Sequence, residues 1–294
     1  LALAHWLIQP RHSLTSRVMV NRIWQHHFGH GLVATPGNFG AQSSGPSHPA
    51  LLDWMATEFV RKGWSIKALQ RLIMTSSAYR QSSRLDPEGP ASAKNHLWLS
   101  GFPLRRLDAD EVRDTILKVS GRLDTTPFGP PDPVEVRPNG EVVGEASEKG
   151  FRRSIYLTQR RSSPVSLLEA FDAPQLTPNC LKRPSSTVSS QALQLMNSDL
   201  VRESSRYLAG RVIDAADDDA RQQVERVFLA TLSRPPSAKE REMAMATLDQ
   251  LTSHWLQHLE KEVPAEPRRS RARWLALSTV CHTLLNSAEF LYVD

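Results

Sequence analysis

Apolar residues along this chain recur mainly at the three-to-four spacing of helices, broken by sharp punctuation. Leu14, Val18, Ile23 and Trp24 fit one face of a helix that ends at Gly29, because glycine adopts the left-handed conformation of a helix C-terminus without strain. From Gly29 to Pro49 the sequence holds five glycines (29, 31, 37, 40 and 45) and prolines at 36, 46 and 49, too many breakers for regular structure. Ser47 is then read as the cap of a second helix with Pro49 in its first turn. Leu51, Leu52, Met55 and Phe59 form its inward stripe, and Gly63 stops it. Ser65 opens the next helix, with Leu69, Leu72 and Ile73 inward. A further helix begins at Asp108, which with Glu111 makes a capping box; Val112, Ile116 and Val119 form its core face and Gly121 ends it.

Between Asp124 and Thr158 the period changes to two. Val134 to Val136 and Val142-Val143 flank Pro138-Asn139-Gly140, and Asn-Gly favours the tight turn of a β-hairpin. Ile155-Tyr156-Leu157 is expected to add a third strand. Helical patterns return at 164–171, 189–196, 200–210 and 217–232. Ser237 and Glu240 form a capping box for a long helix reaching about Glu260; Pro264 and Pro267 break it, and Arg271 to Leu285 forms the last main helix. The predicted fold is therefore mainly α, with a small inserted β-hairpin or three-stranded sheet near residues 130–158. It divides into an N-terminal helical region (1–123) carrying the loop His27-Phe28-Gly29-His30-Gly31, the β insertion (124–160) and a C-terminal helical region (161–294), with one continuous core as the alternative.

Composition narrows the classes. The 294 residues are 40% hydrophobic and 23% charged, a globular balance, and no apolar run approaches the ~20 residues that span a bilayer. The opening Leu-Ala-Leu-Ala-His-Trp-Leu-Ile reads as turns of an amphipathic helix, so the chain is expected to be a piece of a longer protein. A net charge of +5 hints at an anionic partner, but basic residues are spread among acidic ones. Nucleic acid is not expected, because its binders concentrate charge on one face. Cys180 and Cys281 are the only cysteines, which excludes zinc-type cysteine spacing and a haem-attachment motif and leaves one disulfide open.

Several stretches together resemble a known family. Asn21-Arg22-Ile23-Trp24-Gln25-His26-His27-Phe28-Gly29-His30-Gly31-Leu32-Val33, then Pro46-Ser47-His48-Pro49, Leu51-Leu52-Asp53-Trp54, Gly63-Trp64-Ser65, Leu104-Arg105-Arg106-Leu107, Arg113-Asp114, Phe171-Asp172-Ala173-Pro174, Ser186-Thr187-Val188 and Leu284-Leu285-Asn286-Ser287-Ala288-Glu289-Phe290-Leu291 are similar to the planctomycete cytochrome-associated C-terminal domain of unknown function, the PSD-type DUF1553 family. Gln175, Ser190 and Ala50 depart from its pattern. The resemblance implies an architecture more than a reaction: a domain that follows cytochrome-c-like domains of the same polypeptide in a large exported bacterial protein. Any c-type haem would then lie in those upstream domains, with no cofactor in this chain, and the location would be extracytoplasmic, periplasmic or at the cell surface.

Candidate chemistry concentrates in two places. His26, His27, His30 and His48 could ligate a transition metal, with His26 and His30 four apart, although Gly29 falls between them. The bland alternative is that they bridge loop and helix. Ligation of a neighbouring domain's haem is a variant without motif support in this chain. Asn21, Arg22 and Trp24 present polar groups and an aromatic beside the glycine loop, a setting for carbohydrate or anion binding; alternatively Arg22 pairs with Asp53 and pins the loop. The second place combines Arg105, Arg106 and Asp114 with Asp172 and Arg183, where forked guanidinium groups suit sulfate, phosphate or uronate, or where Arg–carboxylate pairs merely hold the fold together. Asp172 and Glu289 show no sign of meeting as an acid/base pair, and Ser163, Ser186 and Ser287 read as caps or turns. The seven tryptophans are read mostly as core.

The resulting expectation is a non-catalytic docking or ligand-presenting module of an exported, cytochrome-associated protein, directed toward an anionic polysaccharide or an exported partner protein. The rival is a metal-assisted hydrolase or an electron-transfer-coupled oxidoreductase using Arg22, His27, His48 and Asp53.

Overall fold

A computed structural model describes residues 1–83, 98–174, 180–216, 219–259 and 265–293, the last without the side chains of 265–267. Gln175, the expected helix start at Asp217, the expected end at Glu260 and the break at Pro264 lie outside the described residues. Twelve α-helices and three two-stranded pairings are present among those described, a mainly α fold with small sheets. None of these helices is long and apolar enough to cross a membrane. The chain divides into two compact units, one up to Arg105 and one from Arg106 to Val293.

The first unit contains α1 (Ala2–Leu7), α2 (Thr15–Phe28), α3 (Pro49–Arg61) and α4 (Ile66–Met74). Its core is the predicted stripe: Val20, Ile23, Trp24 and Phe28 of α2 close against Leu52, Met55, Ala56 and Phe59 of α3, Leu69 and Ile73 of α4, and Leu32 and Val33 of the glycine loop. Leu14 departs from expectation; it precedes α2 and is exposed, while Val20 takes the inward position. Gly29 ends α2 with φ +77°, as its backbone freedom allows. The residue before α3 is His48 rather than Ser47, whose amide instead donates to the Leu32 carbonyl at 2.8 Å. Ser65 caps α4 as expected, accepting from the Ala68 amide at 3.3 Å.

The second unit begins at Arg106, the second residue of β1 (Arg105–Arg106), a strand paired with β6 (Tyr292–Val293). α5 (Ala109–Ser120) opens on the capping box of Asp108 and Glu111, and its buried face of Val112, Ile116 and Leu117 is the centre of a core shared with the hairpin. That hairpin is β3 (Val134–Val136) and β4 (Val142–Gly144), antiparallel, with Val136 opposite Val142. β2 (Leu123–Asp124) and β5 (Phe151–Arg152) form a separate parallel pair. The expected third strand shrinks to a single residue, Leu157, which bridges Asp132 in parallel: Ser154–Tyr156 turns as a short 3₁₀ helix, because the Asp114 carboxylate captures both the amide and the hydroxyl of Ser154 and bends the chain out of line.

Beyond the sheet come α6 (Ser166–Ala170), α7 (Ser189–Asn197), α8 (Asp199–Ala216), α9 (Ala220–Leu232), α10 (Ala238–Leu259), α11 (Ala265–Leu285) and α12 (Ala288–Leu291). α8 to α11 enclose a core that includes Leu208, Val212, Val227, Leu248, Leu277 and Cys281. α8 continues past Gly210, where packing across α11 outweighs the intrinsic cost of an interior glycine. α11 starts before Arg271, and Pro267 falls in its first turn, where no amide is needed. Cys281 is buried and unpaired, its thiol pushed up by burial, and Cys180 is exposed and unpaired.

Candidate functional site

In the first unit, sequence places Asn21 beside a ligand loop, and the structure gives it to the loop itself. Its side chain is fully buried; Nδ2 donates to the Val33 carbonyl at 3.1 Å and Oδ1 accepts from the Val33 amide at 2.8 Å. A Cβ on Gly31 would lie 2.6 Å from the Val33 oxygen and 2.7 Å from Asn21 Nδ2, so glycine is what allows this close approach. Trp24 is likewise core, stacked on Phe28 at 4.1 Å.

The anticipated Arg22–Asp53 pair does not form. Asp53 accepts from Arg17 Nε at 2.6 Å, which holds the carboxyl below its ordinary range, and Arg22 stays exposed on α2. His27 is half-buried with its ring edge-on to Tyr79 at 5.5 Å. Burial first, then the charges of His26 and Arg105, lowers its pKa. His48 contacts the Ser47 hydroxyl at 3.0 Å, and its ring lies 6.1 Å from that of Trp98. Gly29 ends the helix between His26 and His30, so their i, i+4 spacing does not make a shared helical face. No group of three or more His, Cys, Asp or Glu among the described residues is placed to hold a metal ion.

In the second unit the Arg–carboxylate residues separate into three groups. Arg106 is buried; it donates to the carbonyls of Ser186 (2.6 Å) and Phe171 (3.0 Å) and to Asp172 Oδ2 (3.0 Å), with its guanidinium over the Phe171 ring. Asp172 adopts φ +65° and also accepts from the Ser186 amide (2.7 Å) and hydroxyl (2.8 Å). Burial opposes its charge, but the Ser186 and Arg106 donors outweigh burial and hold the carboxyl below its ordinary range. Arg183 pairs with Asp110 at 2.6 Å. Asp114 serves Ser154 and lies 3.5 Å from Arg113, itself wholly buried against Phe151 and bonded to the Arg152 carbonyl.

Glu289 belongs to a fourth group, a fork in which Arg234 holds both Glu240 and Glu289 at 2.7 Å. Asp172 and Glu289 therefore have different partners. Ser287 caps α12, but Ser186 is no cap: it binds Asp172. Sequence reasoning missed Arg17, Asp110, Arg113, Ser186 and Gln191 as the partners that complete these groups. Only Gln191 carried a local signal, standing at the third position of α7, where a Gln reaches back to the preceding amide of Val188. Several tryptophans expected in the core are exposed, Trp54 at 53% and Trp98 at 67%.

The fold and these groups define a mainly α, two-unit protein whose buried polar residues are spent chiefly on holding its own backbone. Residues 1–248 match the family model PSD1, a protein of unknown function (DUF1553), and the chain belongs to that family. No curated protein and no solved structure matches it.

Proposed function

We propose that this chain is a non-catalytic docking and ligand-presenting module, and that the ligand is an anionic polysaccharide met by the exposed aromatic and cationic side chains of the first unit. The observation that carries the reading is the exposure of the indoles of Trp54 and Trp98, the latter with the His48 ring 6.1 Å away. An indole is a flat apolar surface with a negative face, suited to the C–H face of a sugar ring and to cations bound beside it. Arg22, exposed on α2, adds a forked donor that suits uronate or sulfate groups. The exported setting and the upstream cytochrome-like domains are part of the proposal and rest on the resemblance of the motif residues.

The hydrolase or oxidoreductase reading needs Arg22, His27, His48 and Asp53 around one reacting centre. The contacts of His27, His48 and Asp53 are with Tyr79, Ser47 and Arg17 respectively, so no observation favours it.

Affinity electrophoresis in gels containing polygalacturonate, a sulfated galactan or neutral dextran tests the proposal. Retardation by an acidic polymer, lost in Trp54→Ala/Trp98→Ala and weakened in Arg22→Ala, is the expected result. Equal retardation of the tryptophan variant, or equal retention by dextran, would overturn it.

A further inference from the structure

A pair of imidazoles on α10 stands apart from every site considered above. α10 runs unbroken from Ala238 to Leu259 behind the Ser237–Glu240 capping box. His254 and His258 are four residues apart on it, which places both on one face, one turn apart. Both are exposed, their ring centroids are 4.7 Å apart and their planes are tilted by 36°. The interrupted pair His26 and His30 has the same spacing without the continuous helix.

The ring separation can be compared with what a shared metal requires. A metal–nitrogen bond of about 2.0–2.1 Å plus a ring radius of roughly 1.2 Å sets each imidazole centroid about 3.2 Å from the ion. Two ligands subtending about 90° to about 110° at the metal then have centroids about 4.5–5.2 Å apart. The observed 4.7 Å falls inside that interval. His258 also stands in the last turn of α10, where the negative end of the helix dipole favours a cation.

We propose that His254 and His258 form a two-imidazole surface site for a borderline divalent transition metal, with water completing the coordination. Copper(II) is bound ahead of nickel(II) and zinc(II), because affinity at nitrogen donors peaks at copper and two adjacent ligands suit its tetragonal geometry. The bound ion bridges one turn and clamps the C-terminal end of α10. Trp255 supplies a reporter: its ring lies 6.1 Å from His254 and 6.2 Å from His258, within range of quenching by a paramagnetic ion.

The test is copper(II) titration of the intact chain at about pH 7.5, where imidazole is a competent ligand, read by electron paramagnetic resonance and tryptophan fluorescence. The wild type is expected to bind one copper with nitrogen ligation and to lose part of the emission of its seven tryptophans. Trp255→Phe should keep the binding and lose most of that quenching. His254→Ala and His258→Ala should each weaken binding by about a hundredfold, because the second imidazole otherwise acts at high effective concentration. Alanine favours helix more than histidine does, so the variants should fold, as circular dichroism will check; His254→Gln gives a second, polar replacement. His26→Ala/His48→Ala should bind as the wild type does. Undiminished affinity in His254→Ala/His258→Ala, loss of tight binding in His26→Ala/His48→Ala instead, or wild-type binding no tighter than about millimolar would overturn the proposal.

Discussion

Asn21 shows how one residue type carries opposite meanings until its burial is known. In sequence, an amide beside a glycine loop reads equally as a ligand contact or as a backbone anchor; the alternatives part only when Val33, twelve positions on, is seen to take both ends of the side chain. Asn21→Ala would leave a buried amide and a buried carbonyl without partners, each worth about 1–3 kcal/mol, so a loss of about 2–4 kcal/mol is expected in urea unfolding. Asn21→Asp should also destabilise, since the carboxylate cannot donate to the Val33 carbonyl. His27 gives a prediction in pH. Its pKa is lowered in the folded state by burial and by the His26 and Arg105 charges, so the unfolded chain, with its histidine near the ordinary 6.5, binds the proton more readily. Stability should be undiminished above that value and fall as pH drops from it toward the folded pKa. Urea midpoints for wild type and His27→Gln at about pH 5 and about pH 7.5 check this, with a smaller acid loss expected in the variant.

At the scale of elements, legibility followed the range of the forces. Caps act within one turn, and those at Ser65, Asp108–Glu111 and Ser237–Glu240 were all readable; Ser65→Ala should cost about 1 kcal/mol through the freed Ala68 amide. The Val-rich hairpin around Asn139-Gly140 was readable for the same reason. The Ile155 segment was not, because β-branched and aromatic character favours a strand while Asp114, forty positions earlier, imposes a turn. The Arg106–Asp172–Ser186 group was half legible: Arg106 and Asp172 were named together, but Ser186 was read only as a cap or turn, and Asp114 and Arg183, assigned to the same cluster, serve other partners. Asp172 links three chain segments through a carboxyl held below its ordinary 3.8, so its contribution is complete above that pH and is lost as pH falls through the folded value. Asp172→Asn should lower stability at neutral pH and flatten the acid limb of the unfolding curve, measured by circular dichroism between about pH 2 and about pH 7.

For the whole molecule, the sequence conveyed a mainly α chain but could not say how its helices share cores, because helical stripes mark which face is buried without naming what buries it. The structure closes one core among residues of the first unit, and two further clusters, around α5 and around α8 to α11, within the second. This arrangement predicts where damage is felt. Asn21→Ala removes an anchor of the first core and Asp172→Asn loosens the group beside α5, and local opening follows the contacts that are lost. Hydrogen exchange read by mass spectrometry should therefore show faster exchange in α2 and α3 for Asn21→Ala, with protection of α5 and α8 kept. Asp172→Asn should give the reverse. If both variants accelerated exchange uniformly along the chain, all the helices would be opening as one cooperative body, and the separation of cores would describe packing without describing stability.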